Sequence, residues 1–207
     1  MRKILREGGV GFTMIELLIV IAVLGILAVA VLAAINPIEQ INRGRDTGSR
    51  SDAEQMISAI DRFYTNQQFY PWQNGTADST EFATLTRISA SAPEVTGRTG
   101  CTMVEALSGG DSDVVDCEGS EELKLSYITR ITEEDADGNP LSNPLYIYFD
   151  GGLAGNSVYV CFAPASGAFA TEANTRCDTG LPDDLDDAQV CNVTLPDGNT
   201  GDFVCLP

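Results

Sequence analysis

The chain has 207 residues, with 12 basic side chains, 30 acidic side chains and no histidine. The lack of histidine excludes Ser-His-Asp and Cys-His catalysis and removes the commonest transition-metal ligand, so neither an enzyme nor a bound cofactor is predicted. Residues 1–77 hold 7 basic and 7 acidic side chains, whereas residues 78–207 hold 5 basic and 23 acidic ones. Such an acidic region repels phosphate, which argues against direct nucleic-acid binding.

An uninterrupted apolar run extends from Leu17 to Ile35. Of its 19 residues only Gly25 is not a hydrophobe. At about 1.5 Å per residue, the run forms roughly 28 Å of helix, close to the ~30 Å hydrocarbon core of a bilayer. No core helix of a soluble domain needs to be apolar on every side over such a length. Residues 12–35 are therefore predicted to form a transmembrane helix.

Glu16 stands at the start of this helix, where a carboxylate is unfavourable unless it is neutralised, paired or able to reach the interface. The nearest basic residues are Arg6 and Arg43, more than a helical turn away. A cut between Gly11 and Phe12 would create an α-amino group one turn from Glu16. The sequence predicts that this amine, in the same chain or in a neighbouring copy, supplies the missing cation.

A basic N-terminus followed by Gly11-Phe12-Thr13-Met14-Ile15-Glu16-Leu17 resembles the class III leader of type IV pilins and pseudopilins. The resemblance implies that prepilin peptidase removes residues 1–11 and methylates the new amine of Phe12. It also implies that Glu16 pairs with the N-terminus of an adjacent subunit during assembly. The expected partners are further copies of this chain in a filament, other pilin-like subunits, the peptidase and the inner-membrane assembly platform.

Other N-terminal signals fit less well. A cleaved signal peptide has an apolar region of only ~7–15 residues before its cleavage site, whereas this run continues past Ala28-Val29-Ala30 to Ile35. A lipoprotein leader needs a cysteine directly after the apolar run, and the first cysteine is Cys101. A plain signal anchor remains the alternative.

Residues 36–72 are predicted to form an amphipathic stem. Pro37 predicts a kink or break, because proline removes a helical hydrogen bond. Ser51 or Asp52 is the expected N-cap of a renewed helix, whose apolar residues follow helical spacing: Ala53, Met56, Ile57, Ile60, Phe63 and Tyr64. The stem is expected to end at Tyr70-Pro71, within an aromatic cluster that predicts core packing more than a ligand site.

The remainder, residues 73–207, is predicted to be a variable loop followed by a small acidic β-sheet head. Asp78-x-x-Glu81 suggests a short helix, and residues 123–128 fit a strand or a helix. The expected strands are residues 145–149 and 158–162, with 167–171 and 203–206 as further candidates. The predicted fold class is α+β: a long N-terminal helix packed on a small antiparallel sheet, with disulfide-closed C-terminal loops.

All six cysteines lie in the head region, at Cys101, Cys117, Cys161, Cys177, Cys191 and Cys205. Their even number and the lack of a C-x-x-C pair indicate disulfides in an oxidising compartment and not a zinc site. Six cysteines allow 15 connectivities. The favoured set is sequential, Cys101–Cys117, Cys161–Cys177 and Cys191–Cys205, with the last pair the strongest expectation.

Three acidic segments suggest calcium, but solvated turns explain them better. Residues 135–139 fail the EF-hand pattern, because Pro140 and Tyr146 replace its glycine and glutamate. Residues 183–187 and 197–202 are similar charge runs, and no metal ligand is predicted. Asn74-Gly75-Thr76 and Asn192-Val193-Thr194 fit the N-glycosylation triplet, which is common by chance.

The sequence therefore predicts a structural filament subunit, anchored in the inner membrane with an extracytoplasmic head and then assembled. It does not separate a surface type IV pilus from a type II secretion pseudopilus, although six cysteines and a long acidic region favour the exposed pilus. A membrane-tethered binding module that does not polymerise is the alternative from another class.

Overall fold

The computed structural model describes residues 11–34, 36–109, 117, 119–135, 140, 143–151, 157–195 and 198–207. The chain divides into two compact units, one reaching to Gln40 and one beginning at Ile41. The helices are α1 (Met14–Ala34), α2 (Pro37–Gln67), α3 (Met103–Leu107), α4 (Leu125–Thr132), α5 (Gly167–Thr179) and α6 (Asp187–Val190). The strands are β1 (Phe82–Arg87), β2 (Leu145–Phe149), β3 (Tyr159–Phe162), β4 (Val193–Thr194), β5 (Thr200–Gly201) and β6 (Val204–Leu206). This is the predicted α+β class.

Helix α2 begins at Pro37, earlier than expected. Asn36 is the N-cap: its Oδ1 accepts a hydrogen bond from the Glu39 N–H at 3.4 Å, and its carbonyl accepts one from the Gln40 N–H. Proline is favoured at the first helical position, because its missing N–H would have no partner there in any case. The predicted break is therefore present at Asn36, but the predicted N-cap at Ser51 or Asp52 is wrong, since both lie inside α2.

Four strands form an antiparallel sheet in the order β1-β2-β3-β6, and β4 pairs with β5 in a separate hairpin. The predicted strands at residues 145–149, 158–162 and 203–206 are confirmed within a residue. The short helix predicted after Asp78 is wrong, because residues 82–87 form edge strand β1 against β2. Asp78 instead closes a turn, where its carboxylate accepts hydrogen bonds from the Asn74 and Thr80 N–H groups at 2.8 and 2.9 Å.

The main core lies between α2 and the face of the sheet that it covers, here called the inner face. The apolar stripe of α2 is buried as predicted, with Met56 and Ile60 fully inaccessible. Alternate residues of the strands meet it, because side chains in a strand point to opposite faces in turn. The inner-face residues are Leu145, Ile147, Phe149, Val160, Phe162 and Val204.

The intervening strand residues cover the opposite, outer face of the sheet. There Tyr148, Tyr159 and Cys161 pack against Leu185 and Val190 of the C-terminal segment. The sheet is therefore covered on both faces, and the outer cover is made by the chain that follows α5.

The disulfides are Cys101–Cys117, Cys161–Cys205 and Cys177–Cys191. The first confirms the sequential expectation, whereas the predicted pairs Cys161–Cys177 and Cys191–Cys205 are wrong. Cys161 and Cys205 stand directly opposite each other in the β3–β6 register and share the outer face. The cysteine pairing thus follows the register of two strands that are distant in the sequence. The length of a loop does not indicate that register.

Two segments that were candidates for strands are helical. Residues 125–132 form α4, which buries Tyr127, Ile128 and Ile131 on one side. The strand predicted at residues 167–171 is wrong, because α5 begins there: the Ser166 Oγ accepts a hydrogen bond from the Phe169 N–H and caps the helix.

Asp46 on α2 fixes the start of α5. This aspartate is fully buried, and its carboxylate accepts hydrogen bonds from the Ala165 N–H at 2.9 Å, the Ser166 N–H at 2.8 Å and the Ser166 Oγ–H at 2.6 Å. Arg50, one turn along α2, pairs with Glu172 of α5 at 2.5 Å. A buried carboxylate is tolerated because donors surround it.

Replacing Asp46 with alanine should destabilise the C-terminal unit by about 2–3 kcal/mol, because three buried donors lose their acceptor. The change is measured as a shift in the denaturant midpoint of the detergent-solubilised chain, with its disulfides intact. Arg45→Ala, at an exposed position on the same helix, is the matched control and should shift the midpoint little. Equal denaturant midpoints for Asp46→Ala and the unmodified chain would show that the buried carboxylate contributes nothing to the free energy of unfolding.

Candidate functional site

The site predicted for processing and assembly lies at the N-terminal end of α1. Thr13 is the N-cap, and Glu16 occupies the third helical position. The Glu16 carboxylate accepts hydrogen bonds from the Thr13 N–H at 3.0 Å and the Thr13 Oγ1–H at 2.9 Å. In return the Thr13 Oγ1 accepts one from the Glu16 N–H at 3.3 Å. This reciprocal arrangement is a capping box, which satisfies backbone donors that a helix start otherwise leaves open.

Thr13 is the residue that the sequence reasoning missed. Its signal was present, because Thr-x-x-Glu directly before an apolar run is the pattern of a capping box. The hydroxyl and amide of Thr13 supply donors to Glu16, so part of its hydrogen bonding is met within its own helix. They do not neutralise its charge, since Arg6 and Arg43 remain the nearest cations in the sequence.

Gly11 and Phe12 precede the cap and are exposed. The Phe12 side chain is 84% accessible, and a methyl group added at Gly11 would meet no atom of the described residues within 4 Å. Residues 1–10 of the predicted leader lie outside the described residues.

Helix α1 offers an apolar surface on every side. Its residues 14–32 are exposed, and Met14–Leu32 is long and apolar enough to cross a membrane. A helix that is hydrophobic all round needs lipid or other helices around it. Glu16 is its one charged residue and lies in its first turn.

Two aspartates of the acidic segment at residues 183–187 accept hydrogen bonds from other parts of the fold. The Asp184 carboxylate accepts hydrogen bonds from the Ser157 N–H and the Tyr159 Oη–H, both at 2.6 Å. Partial burial raises the pKa of Asp184, but these hydrogen bonds outweigh burial and hold that pKa below its usual value. Asp186 caps α6 by accepting from the Ala188 N–H at 3.0 Å.

The other acidic segments are only partly described. Residues 136–139 of the first and Asp197 of the third lie outside the described residues. Asp202 accepts hydrogen bonds from the Asn192 N–H at 2.8 Å and from the Asn174 side-chain amide at 3.3 Å.

Residues 11–32 match the family model described as the prokaryotic N-terminal methylation motif. This motif is the class III prepilin leader of type IV pilins and pseudopilins, so the match supports a pilin-like or pseudopilin subunit. That family is structural and in general not enzymatic. No curated protein and no solved structure matches the chain.

Proposed function

We propose that this chain is the structural subunit of a type IV pilus or a related filament, processed between Gly11 and Phe12 and assembled through α1. The observation that carries the proposal is the methylation motif at residues 11–32, with Glu16 in the first turn of a helix that is otherwise apolar and is exposed over residues 14–32. Such a helix is suited first to the bilayer and then to a bundle of identical helices.

Processing changes the charge at the helix start. Removal of residues 1–11 leaves Phe12 with an α-amino group, which becomes N-methylphenylalanine and stays cationic. This amine is one residue from Thr13, whose own N–H lies 3.0 Å from the Glu16 carboxylate. The mature chain thus holds one cation and one anion at the same end of an apolar helix, and the two charges neutralise each other on pairing.

Assembly exchanges lipid for protein around α1. In the filament, the Glu16 carboxylate of an incoming subunit pairs with the Phe12 amine of its neighbour. An ion pair excluded from water is favourable only with close geometry, and this requirement sets the register of one helix against the next. The apolar side chains then pack against other copies of α1, while the disulfide-bonded C-terminal unit stays outside the membrane.

A surface pilus fits the C-terminal unit better than a secretion pseudopilus. Its three disulfides and its acidic composition suit prolonged exposure outside the cell. Shearing of intact cells separates the two, since a surface pilus appears in the sheared fraction and a short periplasmic pseudopilus does not.

The test of the proposal is filament formation by the full chain, expressed with a prepilin peptidase and an assembly platform. Electron microscopy should show filaments labelled by an antibody against the C-terminal unit. If processed chains stayed as single copies in the membrane, the chain would instead be a tethered binding module. Removing residues 1–35 then distinguishes the classes further, because a binding module keeps its function without the stem.

A further inference from the structure

A cavity of about 320 Å³ lies within the C-terminal unit, on the outer face of the sheet. Its walls come from β3, from β6, from the last turns of α5 and from the chain that follows α5. Four apolar side chains line it: Leu181, Leu185, Val190 and Phe203. All of these except Leu181 are buried, so the cavity is formed before any ligand arrives.

The size and composition of this cavity are those of a small-molecule site. Ligand cavities in proteins measure ~300–1,000 Å³, have mostly apolar walls and contain a few polar groups that orient the ligand. A volume of about 320 Å³ is at the small end of that range. The occupant is therefore a small molecule and not a helix or a strand of another protein.

Arg176 brings a positive charge to the wall of the cavity. Its Nη1–H donates a hydrogen bond to the Cys205 carbonyl at 2.8 Å, and its Nη2–H donates one to the Glu172 carboxylate at 3.0 Å. A guanidinium group has five N–H donors, so these two bonds hold it in position and leave others for a ligand. The side chain is 44% accessible, which keeps the guanidinium within reach of solvent.

The charge of Arg176 is only partly balanced within the protein. The same Glu172 oxygen also pairs with Arg50 at 2.5 Å, so one carboxylate serves two guanidinium groups. Among the described residues that line the cavity, none has an acidic side chain. Pro207 lines it too, and its α-carboxylate forms no ion pair with Arg176 in the described part of the chain.

The Tyr159 hydroxyl is a neutral polar group at the same cavity. It donates a hydrogen bond to Asp184 at 2.6 Å, and Asp184 itself is not among the described lining residues. Burial raises the pKa of Tyr159 to about 12, so the phenol stays protonated at neutral pH. Tyr159 therefore adds no negative charge that would oppose an anion.

The surroundings of the cavity restrict the kind of anion that it accepts. Residues 78–207 hold 23 acidic and 5 basic side chains, and such a surface repels molecules with several negative charges. A single carboxylate meets less repulsion, and burial of an attached apolar group offsets it. Arginine suits this role because its planar donors match the two oxygens of a carboxylate.

We propose that this cavity binds a small carboxylic acid, whose carboxylate pairs with Arg176 and whose apolar body packs among Leu181, Leu185 and Phe203. The inference goes beyond the proposed function, because it assigns a ligand to the C-terminal unit whether or not the chain forms filaments.

Equilibrium dialysis of the full, detergent-solubilised chain against radiolabelled benzoate tests the proposal. Benzoate should bind saturably, and benzyl alcohol, a neutral compound of similar shape, should bind at least about tenfold more weakly because it lacks the charged partner of Arg176. The absence of saturable benzoate binding, or equal affinities for the two compounds, would overturn the proposal.

Substitutions locate the binding in the cavity. Arg176→Gln should weaken benzoate binding at least about tenfold, whereas Arg176→Lys, which keeps the charge, should retain part of it. Arg45→Gln removes an exposed cation of α2, far from the cavity walls in the sequence, and is the matched control that should bind as the unmodified chain does. Equal affinities of the Arg176→Gln and Arg45→Gln variants would overturn the role of Arg176.

A second variant fills the cavity without changing its charge. Leu181 is only half-buried, so Leu181→Trp can place a larger side chain there in a chain that circular dichroism shows to be folded. This variant should lose benzoate binding, and full binding by it would contradict the location. Filaments without benzoate binding would overturn this inference alone, whereas benzoate binding without filaments would overturn the proposed function alone.

Discussion

Replacing Glu16 with alanine should leave a processed, membrane-bound chain that forms almost no filaments. Without the carboxylate, the Phe12 amine of the neighbouring subunit would stay unpaired among apolar helices. A buried unpaired charge costs about 2.5–3.5 kcal/mol at the centre of a membrane helix, which corresponds to roughly a hundredfold loss in an assembly equilibrium. The measurements are filament mass in the sheared fraction and the amount of mature protein in the membrane.

The control for this result uses the capping box. Glu16→Gln keeps a side chain that can accept hydrogen bonds from Thr13, since glutamine also serves at this position of a capping box, but it removes the charge. If pairing with the amine matters, glutamine should fail as alanine does. Normal filaments from the glutamine variant, with few from the alanine variant, would assign Glu16 to the helix cap instead.

Replacing Trp72 with alanine should give the largest loss of stability in the C-terminal unit, about 3–5 kcal/mol. Trp72 is fully buried where the end of α2 meets the sheet. Its ring stacks on Tyr70 at 4.8 Å between centroids and contacts Phe82 and Phe149 at 5.3 and 5.5 Å. Denaturant unfolding followed by circular dichroism measures the loss, and an unchanged midpoint would show that the cluster is not part of the core.

The matched variant Trp72→Phe isolates the polar part of the same residue. The indole N–H donates a hydrogen bond to the Thr80 carbonyl at 3.1 Å, which phenylalanine cannot make. Phenylalanine keeps much of the packing, so its loss should be the smaller of the two. The aromatic cluster was predicted as core packing from the sequence, and these contacts confirm that interpretation.

Local signals in the sequence predict the correct structure for several elements. The apolar run fixes α1 through its composition, and the stripe at Met56, Ile60 and Phe63 fixes the buried side of α2. Strand β2 is predicted by its β-forming residues and by the turn residues that follow it, and the structure confirms it. Asn36-Pro37 predicts a break, and the same pair also carries the signal of a helix start, because asparagine is a good N-cap and proline a good first helical residue.

The wrong predictions concern segments whose structure is decided by contacts between residues that are distant in the sequence. Residues 82–87 form a strand that pairs with β2, which is distant in the sequence, where a local capping pattern favours a helix. Residues 167–171 start α5 because Ser166 caps the helix and Asp46, 120 residues earlier in the chain, binds the capping residue. The Cys161–Cys205 pair follows from strand register. Loop length alone favoured a different partner for each of these cysteines.

The measurement that tests the central claim most directly is the intact mass of the membrane-extracted protein, together with its N-terminal sequence. A filament subunit processed as proposed should begin at Phe12, with one methyl group on its amine and three disulfides in its mass. A chain that still begins at Met1 in the presence of the peptidase would contradict processing, and the protein would then be an anchored domain whose function lies in its C-terminal unit.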